Sequence, residues 1–305
     1  MKHFQIAFFI LTGIMAKAQE IKVSSGKIQR LEGFLSEYVD GRNVDIWLPD
    51  GYPSGEKYSV LYMNDGQSLF DPSTTWNQQA WSIDKAAGKL ISENKTQKFI
   101  IVGIWNNGAK RHSEYFPQKP FESLPQKTQD SLFAIGKDQK QPLFVDKINS
   151  DNYLKFLVNE LKPFIDKTFS VRTDAEHTFI GGSSMGGLIS LYAICEYPAV
   201  FGGAACLSTH WPGIFVVENN PIPEAFFNYM KMHLPYPKNH KIYFDCGDQA
   251  LDALYPPLQK KADLIMKEKG FTAQNFISKL FPGKDHSENT WAERVNIPLE
   301  FLLKK

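Results

Sequence analysis

The chain has 305 residues, 34 of them basic and 33 acidic, so its formal net charge at pH 7 is +1. This balance argues against nucleic acid or an anionic membrane as a partner, because both select strongly basic surfaces. Hydrophobic residues make up 43% of the chain and aromatic residues 13%, which is ample for a large buried core. The length allows one large domain or two small ones.

The amino terminus has the organisation of a secretory signal peptide. Lys2 gives it a basic start, residues 4–15 form a short apolar run, and Ala16-Lys17-Ala18 is a small-residue cleavage site before Gln19. The apolar run is too short to span a bilayer comfortably; a buried first helix is the alternative. We expect residues 1–18 to be removed and residues 19–305 to be exported, periplasmic or secreted, without a membrane span.

Apolar runs in the next part of the chain indicate strands. Apolar and polar residues alternate in a strand with one buried face, whereas a strand with two buried faces is continuously apolar. These runs predict antiparallel strands at 27–35 and 43–49, buried parallel strands at 58–63 and 99–104, and a helix at 81–91. Residues 106–150 are rich in Gln, Lys, Pro and Ser and show no clear period. A long irregular insertion is usually functional or mobile, so we expect this one near the active site.

The second half alternates strands with helices. Its predicted elements are a helix at 153–165, strands at 178–180, 203–207 and 241–246, a helix at 257–269, a strand at 275–281 and a helix at 291–303. This alternation implies an α/β fold, with a mainly parallel central sheet and helices on both faces. No internal repeat or second domain is evident.

The most informative motif is Gly182-Ser183-Ser184-Met185-Gly186, which fits G-x-S-x-G between a predicted strand and a predicted helix. A serine hydroxyl is a poor nucleophile, so it must be presented where a base can take its proton. A sharp turn does this by holding Ser184 above the sheet, which requires small residues at 182 and 186. The helix start also places the Met185 N–H beside a developing oxyanion. The alternative is a glycine-serine loop without chemistry.

The motif predicts a base and an acid downstream, in the order serine, acid, histidine. His286 lies in a polar turn between the last predicted strand and the last helix, where this fold delivers its base. The other downstream histidines are His210, His233 and His240. The acid should follow the penultimate strand, and both Asp248 and Asp252 lie in that loop, whereas Asp245 lies within the strand. Position alone does not decide which of Asp248 and Asp252 is the acid.

The second oxyanion donor should come from the loop after the third strand. Asn64-Asp65-Gly66-Gln67 occupies that place, and Gly66 would let the backbone approach a substrate carbonyl. The Gln67 N–H is then the natural partner of the Met185 N–H. The alternative is an ordinary Asp-Gly turn.

Aromatic and charged residues in the loops at the carboxyl ends of the strands are candidates for substrate binding. They are Trp76, Arg111, His210 and Trp211. Each has plain packing as its alternative, and for Arg111 this is an ion pair with Glu114 that braces the loop.

The three cysteines, Cys195, Cys206 and Cys246, are too few for a disulfide scaffold and match no zinc motif. A bridge between Cys206 and Cys246 is conceivable, because both end apolar runs that are predicted as neighbouring strands. Buried free thiols are the favoured interpretation.

The motifs together resemble the esterase family of α/β hydrolases that includes enterochelin esterases and feruloyl esterases. The resemblance covers nearly all of residues 30–303. It is carried by MNDGQSLF at 63–70, RHSEY at 111–115, GSSMGG at 182–187, DCG at 245–247, LDALY at 251–255 and FPGKDHSENTW at 281–291. It implies the α/β-hydrolase fold in one domain, with no metal and no organic cofactor.

The resemblance also favours one acid. The family loop often reads Gly-Thr-Glu-Thr-Leu-Asp-Ala, where this chain has GDQALDA at 247–253. Gln249 replaces a residue that is often acidic in the family, whereas the Leu251-Asp252 pair is retained. The resemblance therefore favours Asp252 over Asp248.

The combined interpretation is an exported serine carboxylic ester hydrolase that acts on a small-molecule ester through an acyl-enzyme. A siderophore trilactone and an acyl or feruloyl ester of a sugar both suit such a site. One alternative is an acyltransferase of the same fold, which needs an acceptor other than water. The other is a non-catalytic binding module.

Overall fold

Eight strands form one central sheet in the computed structural model, which describes residues 21–135, 137, 142–215 and 218–305. The strands are β1 Lys27–Phe34, β2 Arg42–Leu48, β3 Ser59–Asn64, β4 Phe99–Ile104, β5 Thr178–Ser183, β6 Gly203–Leu207, β7 Lys241–Cys246 and β8 Phe276–Leu280. The predicted signal peptide lies outside the described residues.

The strand order across the sheet is β1-β2-β4-β3-β5-β6-β7-β8. β2 pairs antiparallel with β1 and with β4, and every later pairing is parallel. The prediction of antiparallel opening strands followed by a mainly parallel sheet is thus confirmed. Because β3 to β8 all run the same way, the loops that follow them meet at one edge of the sheet.

Both faces of the sheet are buried, which explains the continuous apolar strands. In β3, Val60 and Tyr62 belong to one apolar core, whereas Leu61 and Met63 belong to the other. A strand with two buried faces has no polar side to alternate with.

Helices cover both faces. They are α1 Ile83–Ser92, α2 Arg111–Tyr115, α3 Gln118–Glu122, α4 Gln126–Ala134, α5 Ser150–Lys155, α6 Lys162–Thr168, α7 Met185–Glu196, α8 Ile222–His233, α9 Pro256–Glu268, α10 Glu288–Ala292 and α11 Asn296–Leu302. Buried residues of α1 and α11 pack in one core, and those of α7, α8 and α9 pack in the other.

Proline explains where the observed helices differ from the predicted ones. The helix predicted at 153–165 contains a wider π-helical turn, Phe156–Leu161, between α5 and α6, just before Pro163, which cannot donate a backbone hydrogen bond. The single helix predicted at 291–303 is two short helices, with Pro298 in the first turn of the second.

The prediction of an irregular segment at 106–150 is wrong over its first part, which contains α2, α3 and α4. Pro117 and Pro125 immediately precede α3 and α4. Because these prolines divide the segment into helices of nine residues or fewer, no long helical period could be seen in the sequence.

Two further expectations can be compared with the fold. Cys195, Cys206 and Cys246 are all buried and free, as the favoured interpretation predicted. Within the described ranges, the structure contains no helix long and apolar enough to cross a membrane.

Candidate active site

Ser184 lies between β5 and α7, at the edge where the parallel strands end. Its backbone has φ 57° and ψ −123°, a strained conformation for a residue other than glycine. The surrounding backbone holds it there, because its N–H donates to the Leu207 carbonyl at 3.0 Å and its carbonyl accepts the His210 N–H at 3.2 Å. The strand–turn–helix context predicted for Ser184 is confirmed.

The turn around Ser184 is too crowded for larger residues. A Cβ atom at Gly182 would lie 2.9 Å from the backbone of Gly186. One at Gly186 would lie 3.0 Å from Oδ2 of Asp65, so the loop after β3 packs directly against the start of α7. Close approach of the Gly186 backbone therefore requires glycine at position 182, and a side chain at position 186 would have to displace Asp65.

His286 lies in the loop after β8, and Asp252 lies in a 3₁₀ turn after β7, Ala250–Leu254. The two side chains are hydrogen-bonded, with 2.6 Å between His286 Nδ1 and Asp252 Oδ1. Asp252 is fully buried, and its Oδ2 accepts hydrogen bonds from the Ser208 hydroxyl and the Gly247 N–H, both at 2.6 Å. Burial opposes ionisation, but these hydrogen bonds outweigh it and hold the pKa of Asp252 below its ordinary value.

Asp248 does not face His286. Its Oδ1 accepts hydrogen bonds from the Gly283 N–H at 2.7 Å and from the Gln249 side chain at 2.8 Å. These contacts link the loop after β7 to the loop after β8. Of the two carboxylates that the sequence left open, the structure therefore pairs Asp252 with the histidine.

Behind Asp252 lies a buried polar network that the sequence did not reveal. The Ser208 hydroxyl, which donates to Asp252, accepts hydrogen bonds from Trp291 Nε1 at 3.0 Å and Arg294 Nη2 at 2.9 Å. Arg294 also donates to Asp245 at 3.1 and 3.2 Å. No local motif signals this network, because its members come from the ends of β6 and β7 and from the carboxyl-terminal helices.

The two predicted oxyanion donors lie on adjacent segments. Met185 is the first residue of α7, so its N–H has no acceptor within the helix. Gln67 lies in the 3₁₀ turn Gly66–Ser68 after β3, and its side-chain Oε1 accepts the Asn106 N–H at 3.2 Å.

The structure shows a packing reason for glycine at position 66. A Cβ atom there would lie 2.4 Å from the Gly103 carbonyl carbon. The residue must therefore be glycine because β4 lies against it, whether or not a substrate approaches.

Arg111 forms an ion pair with Asp65, the residue before Gly66. Arg111 Nε and Nη2 donate to the two Asp65 carboxylate oxygens, both at 2.7 Å, and the Asn106 side chain donates to Asp65 Oδ1, also at 2.7 Å. The alternative pairing of Arg111 with Glu114 is wrong, because Glu114 accepts two 2.8 Å hydrogen bonds from the buried Arg42. Arg111 thus braces the loop that contains Gln67.

Two neighbouring histidines remain neutral, and one of them, His210, donates its backbone N–H to the Ser184 carbonyl. The pKa of His210 is lowered to about 3, mainly by burial and then by the neighbouring His112 and His286. The pKa of His112 is lowered to about 4, mainly by burial and then by the charge of Arg111. His210 contacts Tyr255, whose hydroxyl lies 2.7 Å from His210 Nδ1. Tyr255 belongs to the LDALY motif, but no feature of the sequence assigns it a role.

Of the two tryptophans predicted to line the pocket, only Trp76 is on the surface. Trp76 is 93% exposed, and the adjacent Asn77 side chain donates to Glu288 at 2.9 Å, two residues after His286. Trp211 is completely buried and its indole N–H donates to Gln259 at 3.0 Å. The prediction for Trp211 is therefore wrong, because its ring packs in the core below the rim.

One group of potential metal ligands lies elsewhere. Ligand atoms of Asp174, Glu176 and His177 are within 4.8 Å of one another, before the amino end of β5 and thus at the opposite edge from Ser184. His177 contacts Asp174 and Arg172 there. Ser184, Asp252 and His286 are not part of any such grouping among the described residues.

Known proteins are similar to this chain in sequence and in fold. The model of the family described as "Putative esterase" matches residues 37–132 and 145–296. The endo-1,4-beta-xylanase/feruloyl esterase of Xylanibacter ruminicola is 25% identical over 294 residues, which are 92% of this chain and 32% of that protein.

Solved structures show the same architecture. A ferulic acid esterase has a TM-score of 0.64 at 17% identity, covering 91% of this chain and 98% of its own. The enterobactin esterase FES of Shigella flexneri has a TM-score of 0.62 at 14% identity, covering 92% of this chain and 60% of its own. Because the family model covers most of the described residues, the chain belongs to this family of α/β-hydrolase-fold esterases.

Proposed function

We propose that the chain is an exported serine esterase that hydrolyses a small-molecule carboxylic ester through an acyl-enzyme. The observation that carries the proposal is the 2.6 Å hydrogen bond between His286 and the buried Asp252, at the sheet edge that holds the strained Ser184. A serine, a histidine and an ordered carboxylate at one edge are the groups that this chemistry requires.

In the proposed reaction, Ser184 Oγ attacks the ester carbonyl carbon while His286 takes its proton. Asp252 holds Nδ1, so Nε2 is the nitrogen that accepts the proton. The carbonyl oxygen becomes an oxyanion that the N–H groups of Met185 and Gln67 stabilise. The alkoxide leaves with the proton from His286, and water, activated by the same histidine, then releases the acid and frees Ser184.

The substrate class we propose is a siderophore trilactone or an acyl or feruloyl ester of a sugar. Two exposed aromatic residues near the site favour a large substrate with flat groups. Trp76 adjoins Asn77, which contacts Glu288, and Phe215 is 72% exposed with its ring 5.7 Å from that of His210. The names of the similar proteins, a feruloyl esterase and an enterobactin esterase, are consistent with this class.

The first experiment identifies the nucleophile. We expect a fluorophosphonate to label the wild type at Ser184, and we expect Ser184→Ala to lose both labelling and ester turnover while it remains folded. Ser183→Ala is the matched control, because Ser183 is the adjacent hydroxyl and is buried. Labelling at Ser183, or turnover by Ser184→Ala, would contradict the assignment.

The second experiment identifies the substrate. Short acyl chromogenic esters, feruloyl sugar esters and a catechol trilactone are compared by kcat/KM. Product analysis with an added alcohol distinguishes hydrolysis from acyl transfer, since transfer would yield a new ester. Absence of turnover on every ester would favour the binding-module alternative.

Export is tested separately. In the native host, we expect the protein outside the cytoplasm and its first residue to be Gln19, as measured by mass spectrometry of the intact chain. A cytoplasmic protein that retains residues 1–18 would contradict this part of the proposal.

A further inference from the structure

The hydroxyl group of Ser208, the residue after β6, has its proton directed by two neighbours. Its oxygen accepts hydrogen bonds from Trp291 Nε1 at 3.0 Å and from Arg294 Nη2 at 2.9 Å. An indole N–H and a guanidinium can only donate, so these two contacts occupy both lone pairs of the hydroxyl oxygen. The third contact, with Asp252 Oδ2 at 2.6 Å, must therefore receive the Ser208 proton.

The two carboxylate oxygens of Asp252 have separate partners. Oδ2 accepts the Ser208 hydroxyl and the Gly247 N–H, both at 2.6 Å, whereas Oδ1 lies 2.6 Å from His286 Nδ1. Because Asp252 is fully buried, its ionised form depends on such donors. The Ser208 hydroxyl thus fixes the orientation of the carboxylate and also stabilises its charge.

Stability alone does not explain why Arg294 is buried behind this carboxylate. Arg294 forms an ion pair with Asp245, and the two side chains are 3% and 0% exposed. Its Nη1 is buried and has no hydrogen-bond partner among the residues that the structure describes. A buried ion pair with an unsatisfied donor is a weak source of stability. Asp245, Gly247 and Trp291 also belong to the DCG and FPGKDHSENTW motifs, whose roles the proposed reaction does not otherwise explain.

We propose that Ser208 is a positioning residue that holds Asp252 ionised and turned toward His286. Its own orientation is set by Trp291 and Arg294. The inference rests on the proposed serine esterase function, because Ser208 acts only through His286. The hydroxyl offsets part of the negative charge of Asp252, so Asp252 attracts the proton of a protonated His286 less strongly. His286 therefore remains available as a base at a lower pH than it would without this network.

Ser208→Ala removes the hydrogen bond and tests the role. We expect the apparent pKa on the acid limb of kcat/KM to rise by about 0.5 to 1, because the carboxylate then holds the His286 proton more tightly. At high pH we expect kcat/KM to fall by less than about tenfold, since the Gly247 N–H still holds Asp252 Oδ2. A merely structural role would lower kcat/KM at every pH and leave the acid limb in place.

Ser59→Ala is the matched control. Ser59 is 1% exposed, and its hydroxyl donates to Gln97 Oε1 at 2.8 Å. It is the first residue of β3 and so lies at the opposite edge of the sheet from Ser184. The substitution removes a buried hydroxyl of the same kind, and we expect the acid limb to coincide with that of the wild type.

Ser208→Ala retains every other titratable or aromatic group near His286 and Asp252, so a moved acid limb reports the lost hydroxyl. These groups are Asp285 and Glu288 beside His286 in the sequence, the Trp291 and Tyr255 rings at 5.0 and 5.7 Å, the neutral His210, the Cys246 thiol and the Arg294–Asp245 pair.

Arg294→Lys is a second test, which remains if Ser208→Ala does not fold. Lysine keeps a positive charge for Asp245 but lacks the planar fork that reaches Asp245 and Ser208 together. The Ser208 proton is then no longer directed to Asp252 alone. We expect the acid limb to move in the same direction as in Ser208→Ala, by a smaller amount.

The outcomes separate the two proposals. An acid limb that is unmoved, or moved to lower pH, in folded Ser208→Ala or Arg294→Lys would overturn the role of Ser208 alone. A wild type that a fluorophosphonate does not label at Ser184 would overturn the serine esterase function and this role with it. If neither variant folds, a crystal structure of the wild type decides: we expect Ser208 Oγ within hydrogen-bonding distance of Asp252 Oδ2, and a hydroxyl turned away from Asp252 would refute the proposal.

Discussion

At the scale of single residues, Asp252 and Asp248, the two carboxylates in the loop after β7, differ in their contacts. Asp252 contacts His286 and is fully buried, whereas Asp248 contacts backbone in the next loop. We expect Asp252→Asn to lower kcat by about 10⁴, because an amide neither orients the imidazole nor stabilises its protonated form as a carboxylate does. Steady-state kinetics on an ester that the wild type hydrolyses would measure the loss.

Asp248→Asn is the control for this prediction. It leaves the contact with His286 intact, so we expect kcat within about threefold of the wild type, since its amide oxygen can still accept the Gly283 N–H. A larger loss in Asp248→Asn than in Asp252→Asn would reverse the assignment of the acid.

The same comparison shows what the sequence could predict at this scale. Ser184 follows from a five-residue motif, and His286 follows from its place after the last strand. The choice of the acid could be narrowed to Asp248 and Asp252 by their position in the loop. Only the family resemblance then favoured Asp252. Ser208 and Arg294 could not be predicted, because they are 86 residues apart and meet only once the sheet has formed.

At the scale of elements, Arg111 links α2 to the loop after β3. Its two 2.7 Å hydrogen bonds to Asp65 fix the residue that precedes Gly66 and Gln67. Arg111 is 29% exposed and Asp65 14%, so the pair is partly shielded from water. The position of the proposed oxyanion donor thus depends on a helix from the 106–150 segment.

Because this role does not involve the substrate, Arg111→Ala should affect all substrates alike. We expect kcat/KM to fall by a similar factor, about tenfold, for a small acetyl ester and for a large anionic ester, since the same donor is displaced. We also expect the melting temperature to fall by about 2–4 °C, as loss of about 1 kcal/mol would cause. Kinetics on both esters and thermal unfolding measure these effects.

Two variants sharpen that test. Arg111→Lys keeps the charge but not the two parallel hydrogen bonds, so we expect an intermediate loss. Lys110→Ala, in the same segment, removes an exposed side chain that pairs with Asp40 and Asp146, and should change little. A loss confined to the large anionic ester would instead identify Arg111 as a substrate contact.

The 106–150 segment also marks a limit of prediction for elements. Longer elements can be predicted from a period or from a continuous apolar run, and β3 and β4, which are such runs, were predicted within one residue of their observed bounds. Helices of five residues, such as α2 and α3, are too short to show a period. Their stability comes from packing on the rest of the domain, which the local sequence does not encode.

At the scale of the whole molecule, alternation of strands and helices predicted a parallel sheet but not its order. β4 lies between β2 and β3, so the chain crosses back before it proceeds to β5. This crossing brings Gly103 of β4 against Gly66. Such contacts depend on strand order, and strand order depends on the packing of the complete domain.

The two buried histidines make the stability of the domain depend on pH, and their lowered pKa values determine the direction of that dependence. His112 and His210 have pKa values lowered to about 4 and about 3 in the folded protein, against about 6.5 in an unfolded chain. As the pH falls below about 6.5, the unfolded chain binds protons at these residues and the folded protein does not. Their contribution to stability is therefore complete above that pH and is lost on acidification.

We expect the free energy of unfolding to fall as the pH is lowered from about 7 to about 5, with each histidine adding up to about 1.4 kcal/mol per pH unit at the lower end. Denaturant titrations at several pH values measure the slope. His112→Asn should make it shallower, because asparagine does not titrate and can still donate to the Gly213 carbonyl that His112 contacts at 2.9 Å. His233→Asn is the control, since His233 stacks on Tyr229 at the end of α8, away from this site. An equally steep slope in His112→Asn would show that the acid sensitivity arises elsewhere in the molecule.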